Sequence, residues 1–470
     1  MKEEETKYLL SKDSEEILVT VENRKCGICD PTRFAHRMVI LTLMSFLSFG
    51  PGFCTDTPAA LHDQIVEKLN IDEATFMGFY SWYSWPNMIM CLVGGYLIDR
   101  YIGVRLGGII FAGLVLAGHC IFALGAAVRL VWVMDAGRFV FGVGCETLSI
   151  VQNTYSVLWF KTSDLSLVFG LQMSMRMIAE TINLNVQLPI YNAITETNFP
   201  GDTLGITLFI ASFSCIISFT CAIVLAYLDK RAEKLTNREK HDGTQIHLTD
   251  IKKFPIQIWI IYVIGLAVNV SLVTFTGLGV AYFEQKFGVS PATSHALNSL
   301  LYFLAIPMPP LLGFIVDVTG YHVYWILLAM VFCMLGLGFM TFTHLTPWIG
   351  AVLLSLSFSL WYSPLYALIA FIVPFHKLAT AYGFMGSVLN LCAAVMAQIS
   401  GLIVDSGGYF MFGIFVCAWS SMAMIFTIIL YFVDVVKDSQ LNISAKERMH
   451  KISDIGDNES VISDSATKED

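Results

Sequence analysis

Four ionisable residues stand where ionisable residues are costly. Arg138, Glu146, Arg176 and Glu180 lie inside long, largely apolar stretches. A charge at mid-bilayer costs about 2.5–3.5 kcal/mol on insertion scales, so each needs a partner or a wet cavity. Taking one stretch as residues 131–156, Glu146 falls near the midplane. Arg138 falls about 12 Å nearer the surface opposite the cytosol, at about 1.5 Å per residue. A second stretch, 165–190, brings Arg176 near the midplane as well. The guanidinium fork of arginine suits a carboxylate, and Glu146 suits an ammonium. A small zwitterion would thus be held at its two ends by Glu146 and Arg176, with little demand on what lies between. The alternatives are that Glu146 and Arg176 neutralise each other, or that Arg176 pairs with Glu180 one turn along. Buried pairs are a weak stability device and intramembrane charges usually mark pathways, which favours the ligand role.

The elements that position these charges follow from composition. The chain has 470 residues, 56% apolar and 14% charged, with a mean hydropathy of +0.66, too little polar surface for a soluble domain. Apolar blocks recur at 36–57, 75–98, 106–128, 131–156, 165–190 and 204–228, then at 257–281, 294–316, 323–343, 348–373, 380–403 and 410–433. Each is long enough to cross roughly 30 Å of hydrocarbon as a helix, the form that satisfies every backbone polar group within lipid. The alternating ten-residue pattern of a barrel is absent. The expected fold class is an all-α membrane protein of twelve transmembrane helices in two six-helix bundles. The expected domains are a cytosolic N-terminal tail (1–35), a first bundle (36–228), a cytosolic linker (229–256), a second bundle (257–433) and a disordered cytosolic tail (434–470).

Formal net charge is −9, but its distribution says more. Arg33, Arg37, Arg100, Arg105, Lys161, the basic run from Lys230 to Lys253, and Lys377 fall on one side, against Lys68, Arg129 and Lys286 on the other. The positive-inside rule therefore puts both termini in the cytosol. Residues 1–30 are polar and acidic with no apolar core, unlike a signal peptide. Most of the eleven cysteines lie inside spans, which excludes a disulfide framework. The single pair Cys26 and Cys29 cannot supply four zinc ligands. No phosphate loop, metal-ligand cluster or nucleophile motif is present, so neither an enzyme nor an ATP-driven pump is expected, and no cofactor or nucleic-acid partner.

A repeated motif links the halves. Gly95-Tyr-Leu-Ile-Asp99-Arg100-Tyr-Ile-Gly103-Val-Arg105 follows the second span and Gly313-Phe-Ile-Val-Asp317-Val-Thr-Gly320 the eighth. A third copy, Gly401-Leu-Ile-Val-Asp405-Ser-Gly-Gly408, follows the eleventh, and all three are expected at cytosolic helix ends. There a small glycine permits close helix approach and an aspartate caps a neighbouring helix. The first copy resembles the loop 2–3 signature of the major facilitator superfamily, with one extra residue before Gly103, and Arg138-Phe-Val-Phe-Gly142 resembles its Arg-x-x-x-Gly motif. The resemblance implies two bundles rocking around a central site. It also implies conformational roles for Gly95, Asp99, Arg100, Arg105, Arg138 and Asp317.

Further segments narrow the resemblance. Phe53-Cys-Thr-Asp56-Thr-Pro58, Trp82-Tyr-Ser-Trp85-Pro86-Asn87, Gln152-Asn153-Thr-Tyr155 and Thr380-Ala-Tyr-Gly-Phe-Met385 are similar to a branch of that superfamily made of lysosomal dipeptide transporters. What it implies is facilitated, uniporter-like movement of dipeptides to the cytosol. The alternatives are proton-coupled symport of another small solute through Glu146 or Glu180, and a non-transporting receptor or scaffold. Implied substrate contacts are Glu146, Arg176, Glu180, Tyr83, Trp85, Asn153, Trp361 and Tyr362. The branch carries its basic residue one position later, where this chain has Met177, and a one-residue shift turns a side chain by about 100°. Glu5-Thr-Lys-Tyr-Leu9-Leu10 fits the acidic dileucine signal read by clathrin adaptors on lysosome-bound cargo. Glycosylation sequons occur at Asn269, Asn442 and Asn458, none in a lumenal loop. That agrees with the branch's pairing to a glycosylated single-span accessory protein in the lysosomal membrane.

Overall fold

The computed structural model describes residues 34–160, 164–197, 201–235, 248–437 and 441–448. Glu5, Leu9, Leu10, Cys26, Cys29 and Asn458 lie outside the described residues. Among those described, every element is helical apart from one isolated bridge pairing Gly320 with Ser444.

Twelve spans follow in order. The first is Phe34–Leu47 continued by Phe49–Thr55; the second is Glu73–Ser84 continued by Asn87–Leu97, with a step at Pro86. The third to seventh are Gly103–Ala127, Val131–Phe160, Leu165–Glu196, Thr203–Leu235 and Ile256–Phe287. The eighth is Pro291–Leu304 with Met308–Thr319, bent by 40°. Pro307, Pro309 and Pro310 account for the bend, because proline withdraws a backbone donor and clashes with the preceding turn. The ninth and tenth are His322–Phe342 and Pro347–Ile372. The last two share the helical run Leu378–Val436, which is broken at Gly408 (φ 70°, ψ −176°).

Seven helical stretches are long and apolar enough to cross a membrane, and the bent pair makes an eighth. Two of the seven, Thr75–Ala127 and Phe375–Val436, hold two spans each. The remaining spans are the fourth and fifth, those that carry Arg138, Glu146, Arg176 and Glu180. Polarity concentrated in two helices is the composition of helices that face a wet interior rather than lipid.

Three expectations need correction. The third motif copy is not cytosolic: a span that starts in the cytosol at Leu378 must end on the opposite side, and Asp405 is exposed there beside the Gly408 break. The sixth span runs on to Leu235, so the first residues of the expected linker belong to the bundle. Asp229 is 1% exposed; it takes bonds from Arg105 Nε at 2.5 Å and from Trp159 Nε1 at 3.1 Å, and Arg105 also reaches Glu233 at 2.5 Å. Finally, part of the tail beyond Asp434 is ordered, since 441–448 packs on the cytosolic face of the second bundle.

Arg138 shows how the first bundle is tied together. It is 1% exposed and donates to the carbonyls of Phe79 (3.3 Å), Cys54 (3.3 Å) and Thr55 (3.0 Å). The Cys54 carbonyl faces Pro58 four residues on, which has no N–H to offer, so an outside donor must satisfy it. The guanidinium also lies within 5.7 Å of the ring centroids of Tyr80, Tyr83, Phe122 and Phe141, an aromatic surround that favours a cation in a dry site. Replacing it by an apolar side chain of similar length leaves buried carbonyls unpaired, at about 1–3 kcal/mol each. Arg138→Met is therefore expected to lower the thermal unfolding midpoint of the purified protein, measured by scanning fluorimetry. An unchanged midpoint would show that the clamp is dispensable.

Candidate functional site

A cavity of about 380 Å³ lies between the two bundles, lined from the first, second, fourth, fifth, seventh, tenth and eleventh spans. Its volume is in the range of small-molecule sites. The fourth span supplies Glu146, Ser149, Ile150 and Asn153, a helical stripe one face wide. From the fifth comes Arg176, and from the second Tyr83 and Cys91. The second bundle gives Asn269, Trp361, Tyr362, Tyr366, Tyr382 and Asn390.

Charge divides the cavity. Glu146 accepts a hydrogen bond from the Tyr83 hydroxyl at 2.7 Å, and among the described residues no basic side chain comes within ion-pair distance of it. Arg176 uses Nε to pair with Glu180 Oε1 at 3.0 Å, and its side chain is 34% exposed against 14% for Glu180. The pairing one turn along is thus present, while Glu146 and Arg176 do not neutralise each other. Glu180 sits behind Arg176 and holds its stem; the two Nη groups of Arg176 keep their donors for something in the cavity. The opposite wall is aromatic: Tyr362 and Tyr366 centroids lie 4.2 Å apart, and Tyr366 stacks on Tyr382 at 5.6 Å and 15°. Trp361 is edge-on to Tyr362 at 5.9 Å, and its buried indole N–H has no partner among the described residues.

Of the residues expected to contact a ligand, Glu146, Arg176, Tyr83, Asn153, Trp361 and Tyr362 line this one cavity. Glu180 and Trp85 do not: Glu180 is turned onto Arg176, and Trp85 is 66% exposed. Two residues along a helix turn the side chain by about 200°, so Tyr83 and Trp85 cannot face the same way. Sequence reading passed over Cys91, Ser149, Asn269, Tyr366, Tyr382 and Asn390. Ser149 had a signal in its spacing between Glu146 and Asn153. Asn269 and Asn390 had one too, as amides in otherwise apolar spans.

Below the cavity the cytosolic end is shut by two matching crossings. Asp99, just past the second span, accepts hydrogen bonds from the backbone N–H of Ala379 (3.2 Å) and of Thr380 (2.6 Å), and from the Thr380 hydroxyl (2.6 Å). Asp317, in the last turn of the eighth, accepts from the N–H of Ser166 (3.0 Å) and Leu167 (2.7 Å). Each carboxylate caps the first turn of a helix in the other bundle, where N–H groups are unpaired and the helix dipole is positive. The glycine four residues earlier admits the approach. A Cβ on Gly95 would meet the Ala379 carbonyl, and one on Gly313 would meet the Ser166 carbonyl. Of the other expected conformational residues, Arg105 ties the start of the third span to the sixth. Arg100 bonds the Tyr96 hydroxyl and lies 5.1 Å over Tyr101. The cytosolic crossings are thus closed, and the charges face a cavity above them.

Known proteins share this architecture. A model of the Major Facilitator Superfamily matches residues 38–397. The chain is 46% identical over 424 residues to the lysosomal dipeptide transporter MFSD1 of Danio rerio, covering 90% of this chain and 92% of that protein. It is 44% identical over 425 residues to the Homo sapiens protein of the same name, covering 90% and 91%. Among solved structures, a bacterial homologue of the iron transporter ferroportin in the outward-facing state superposes with a TM-score of 0.66 at 14% identity, over 84% of this chain and 99% of that one. The superfamily transporter FucP in the outward conformation gives 0.63 at 14% identity with the same coverage. Identities this low speak for the fold alone.

The two aspartate caps generate a prediction. Hydrogen bonds to a charged acceptor contribute about 1.5–3 kcal/mol, so Asp99→Ala with Asp317→Ala is expected to open the cytosolic end. Cys91 faces the cavity just above the first crossing. A membrane-impermeant thiol reagent on the cytosolic side should label it about tenfold faster or more in the double variant. Labelling at the original rate would mean that the caps do not hold the crossing.

Proposed function

The chain belongs to the Major Facilitator Superfamily, and from that premise we propose that this transporter carries dipeptides from the lysosomal lumen to the cytosol as a uniporter working by alternating access. The observation that carries the reading is the unpaired Glu146 carboxylate facing the same cavity as the free edge of Arg176. A carboxylate in a low-dielectric site without a cation asks for one from the ligand. The ammonium of a dipeptide answers Glu146, and its carboxylate takes the bidentate Nη edge of Arg176. Two residues extended span at most about 7 Å, a length that a cavity of about 380 Å³ accepts. Side chains of the dipeptide would lie against Trp361, Tyr362 and Tyr366, a wall that selects for apolar area rather than one shape. The relatives, lysosomal dipeptide transporters 41–46% identical over 90% of the chain, point the same way.

The position of the arginine does not weaken the reading. Arg176 stands one residue before the branch's basic position, yet it lines the cavity and Glu180 steadies its stem from one turn further along the helix. Binding both ends of a zwitterion also suggests how closure is driven. The charges sit in the first bundle and the aromatic wall in the second, so an occupied site draws the two together above the cavity. Opening below must then break the Asp99 and Asp317 caps.

The proposal extends to delivery and partners. Glu5, Leu9 and Leu10 form the clathrin-adaptor signal, and the absence of sequons in lumenal loops of this sequence supports a glycosylated single-span accessory protein that shields the lumenal face.

Uptake of labelled dipeptide into liposomes tests the reading, with and without a pH gradient, for the original protein beside Glu146→Gln and Arg176→Ala. Uptake independent of the gradient is expected. Each variant should lower kcat/KM by about thirtyfold or more, the loss of one desolvated charge pair of about 2–5 kcal/mol. Uptake that requires protons would favour the symporter, and full activity in both variants would remove the two charges from the site.

A further inference from the structure

The described C-terminal segment, residues 441–448, is tied to the cytosolic face by bonds from each part of its length. Asp434, 1% exposed at the end of the twelfth span, accepts from the N–H of Leu441 (2.9 Å) and of Asn442 (3.0 Å). Tyr321 N–H donates to the Ile443 carbonyl at 3.0 Å, and Ser444 pairs with Gly320. Gly320 has φ +77°, and a Cβ there would run into the backbone of Ser444 and Ala445, so the seat is shaped for this segment. Ser444 and Glu447 then cap a short turn reciprocally, Ser444 N–H to Glu447 Oε2 at 3.0 Å and Glu447 N–H to Ser444 Oγ at 3.2 Å. That turn delivers Arg448 onto the face of Phe371, 4.0 Å from its centroid. Burial pulls the Arg448 guanidinium down to about 10, which leaves it charged at cytosolic pH.

Arg448 also acts beyond its own bundle. Its Nη1 lies 3.4 Å from His322 Nδ1, and His322 Nε2 lies 3.2 Å from the Ser166 hydroxyl. Arginine only donates, so Nδ1 must accept and the ring proton must sit on Nε2. His322 therefore donates to Ser166 Oγ. Ser166 belongs to the first turn of the fifth span, in the other bundle, and its N–H is one of the two that Asp317 holds. The tail thus sets the tautomer of a buried histidine that joins the bundles at the closed crossing.

We propose that residues 441–448 are a strap that latches the cytosolic gate: docked, the strap holds His322 on Ser166 and favours the outward-facing form; released, it lets the crossing of the fifth and eighth spans open. The strap is a conformational device of the transport cycle and does not depend on which solute is carried.

Hydrogen exchange read by mass spectrometry on the full chain in lipid nanodiscs tests it, comparing the original protein with Arg448→Gln and with a chain ending at Lys437. The amides of Ser166 and Leu167, far from the tail in sequence, are expected to exchange about tenfold faster in both variants, roughly the loss of one charge-assisted hydrogen bond. Arg448→Gln keeps the whole chain and carries the test if the shortened one does not fold. Faster exchange confined to Tyr321, Leu441 and Asn442, with Ser166 and Leu167 at the original rate, would reduce the segment to a local cover and overturn the proposal. Unchanged exchange everywhere would overturn it as well.

Discussion

A charge carried into the bilayer must be answered there, by another charge, by oriented dipoles or by water. This constraint orders the molecule. Arg138 is answered by backbone carbonyls and aromatic faces, and becomes a clamp. Arg176 is answered in part by Glu180, and keeps its outer edge. Glu146 has a tyrosine hydroxyl and, among the described residues, no cation, and is left asking for one. Three of the four intramembrane charges in this bundle thus have three different fates, and only the incompletely answered ones border the cavity.

The same logic, moved to the cytosolic surface, builds the gate. Among the described residues Asp99 and Asp317 form no ion pair; each is satisfied by the N–H groups that begin a helix of the opposite bundle. Such a bond exists only while the bundles touch on that side. A transporter needs contacts of this kind, strong enough to favour one state and few enough to exchange for others. The matching of the two sites follows from the internal repeat, since the same Gly-x-x-x-Asp sequence places a small residue and a cap at the same register in both halves.

Much of this was legible in the sequence. The spans, their number and sidedness follow from apolar block length and basic residues, and the intramembrane charges named the helices that border the cavity. The motif copies at Gly95 and Gly313 named the two places where the bundles meet on the cytosolic side. What failed did so for definite reasons. Trp85 was read as facing inward because aromatic residues near a span end are alike in sequence, and only the helical phase after Tyr83 separates them. The copy at Gly401 matched the pattern but sat on an odd-numbered span's outer end, where no opposing helix start is available. Arg138 looked like a moving part; its role as a clamp depends on a carbonyl that Pro58 leaves unpaired, which is a three-dimensional fact. The docking of 441–448 had no signal, because short polar segments acquire structure only from the surface that receives them.

Glu146 as the receptor for a ligand's ammonium is the interaction on which the proposed function rests. Calorimetric titration of the purified protein with a dipeptide and with its N-acetylated form, repeated on Glu146→Gln, tests it most directly. The account predicts that acetylation weakens binding to the original protein by about thirtyfold or more, and that Glu146→Gln binds both forms with similar, weak affinity. Equal binding of the two forms by the original protein would contradict it.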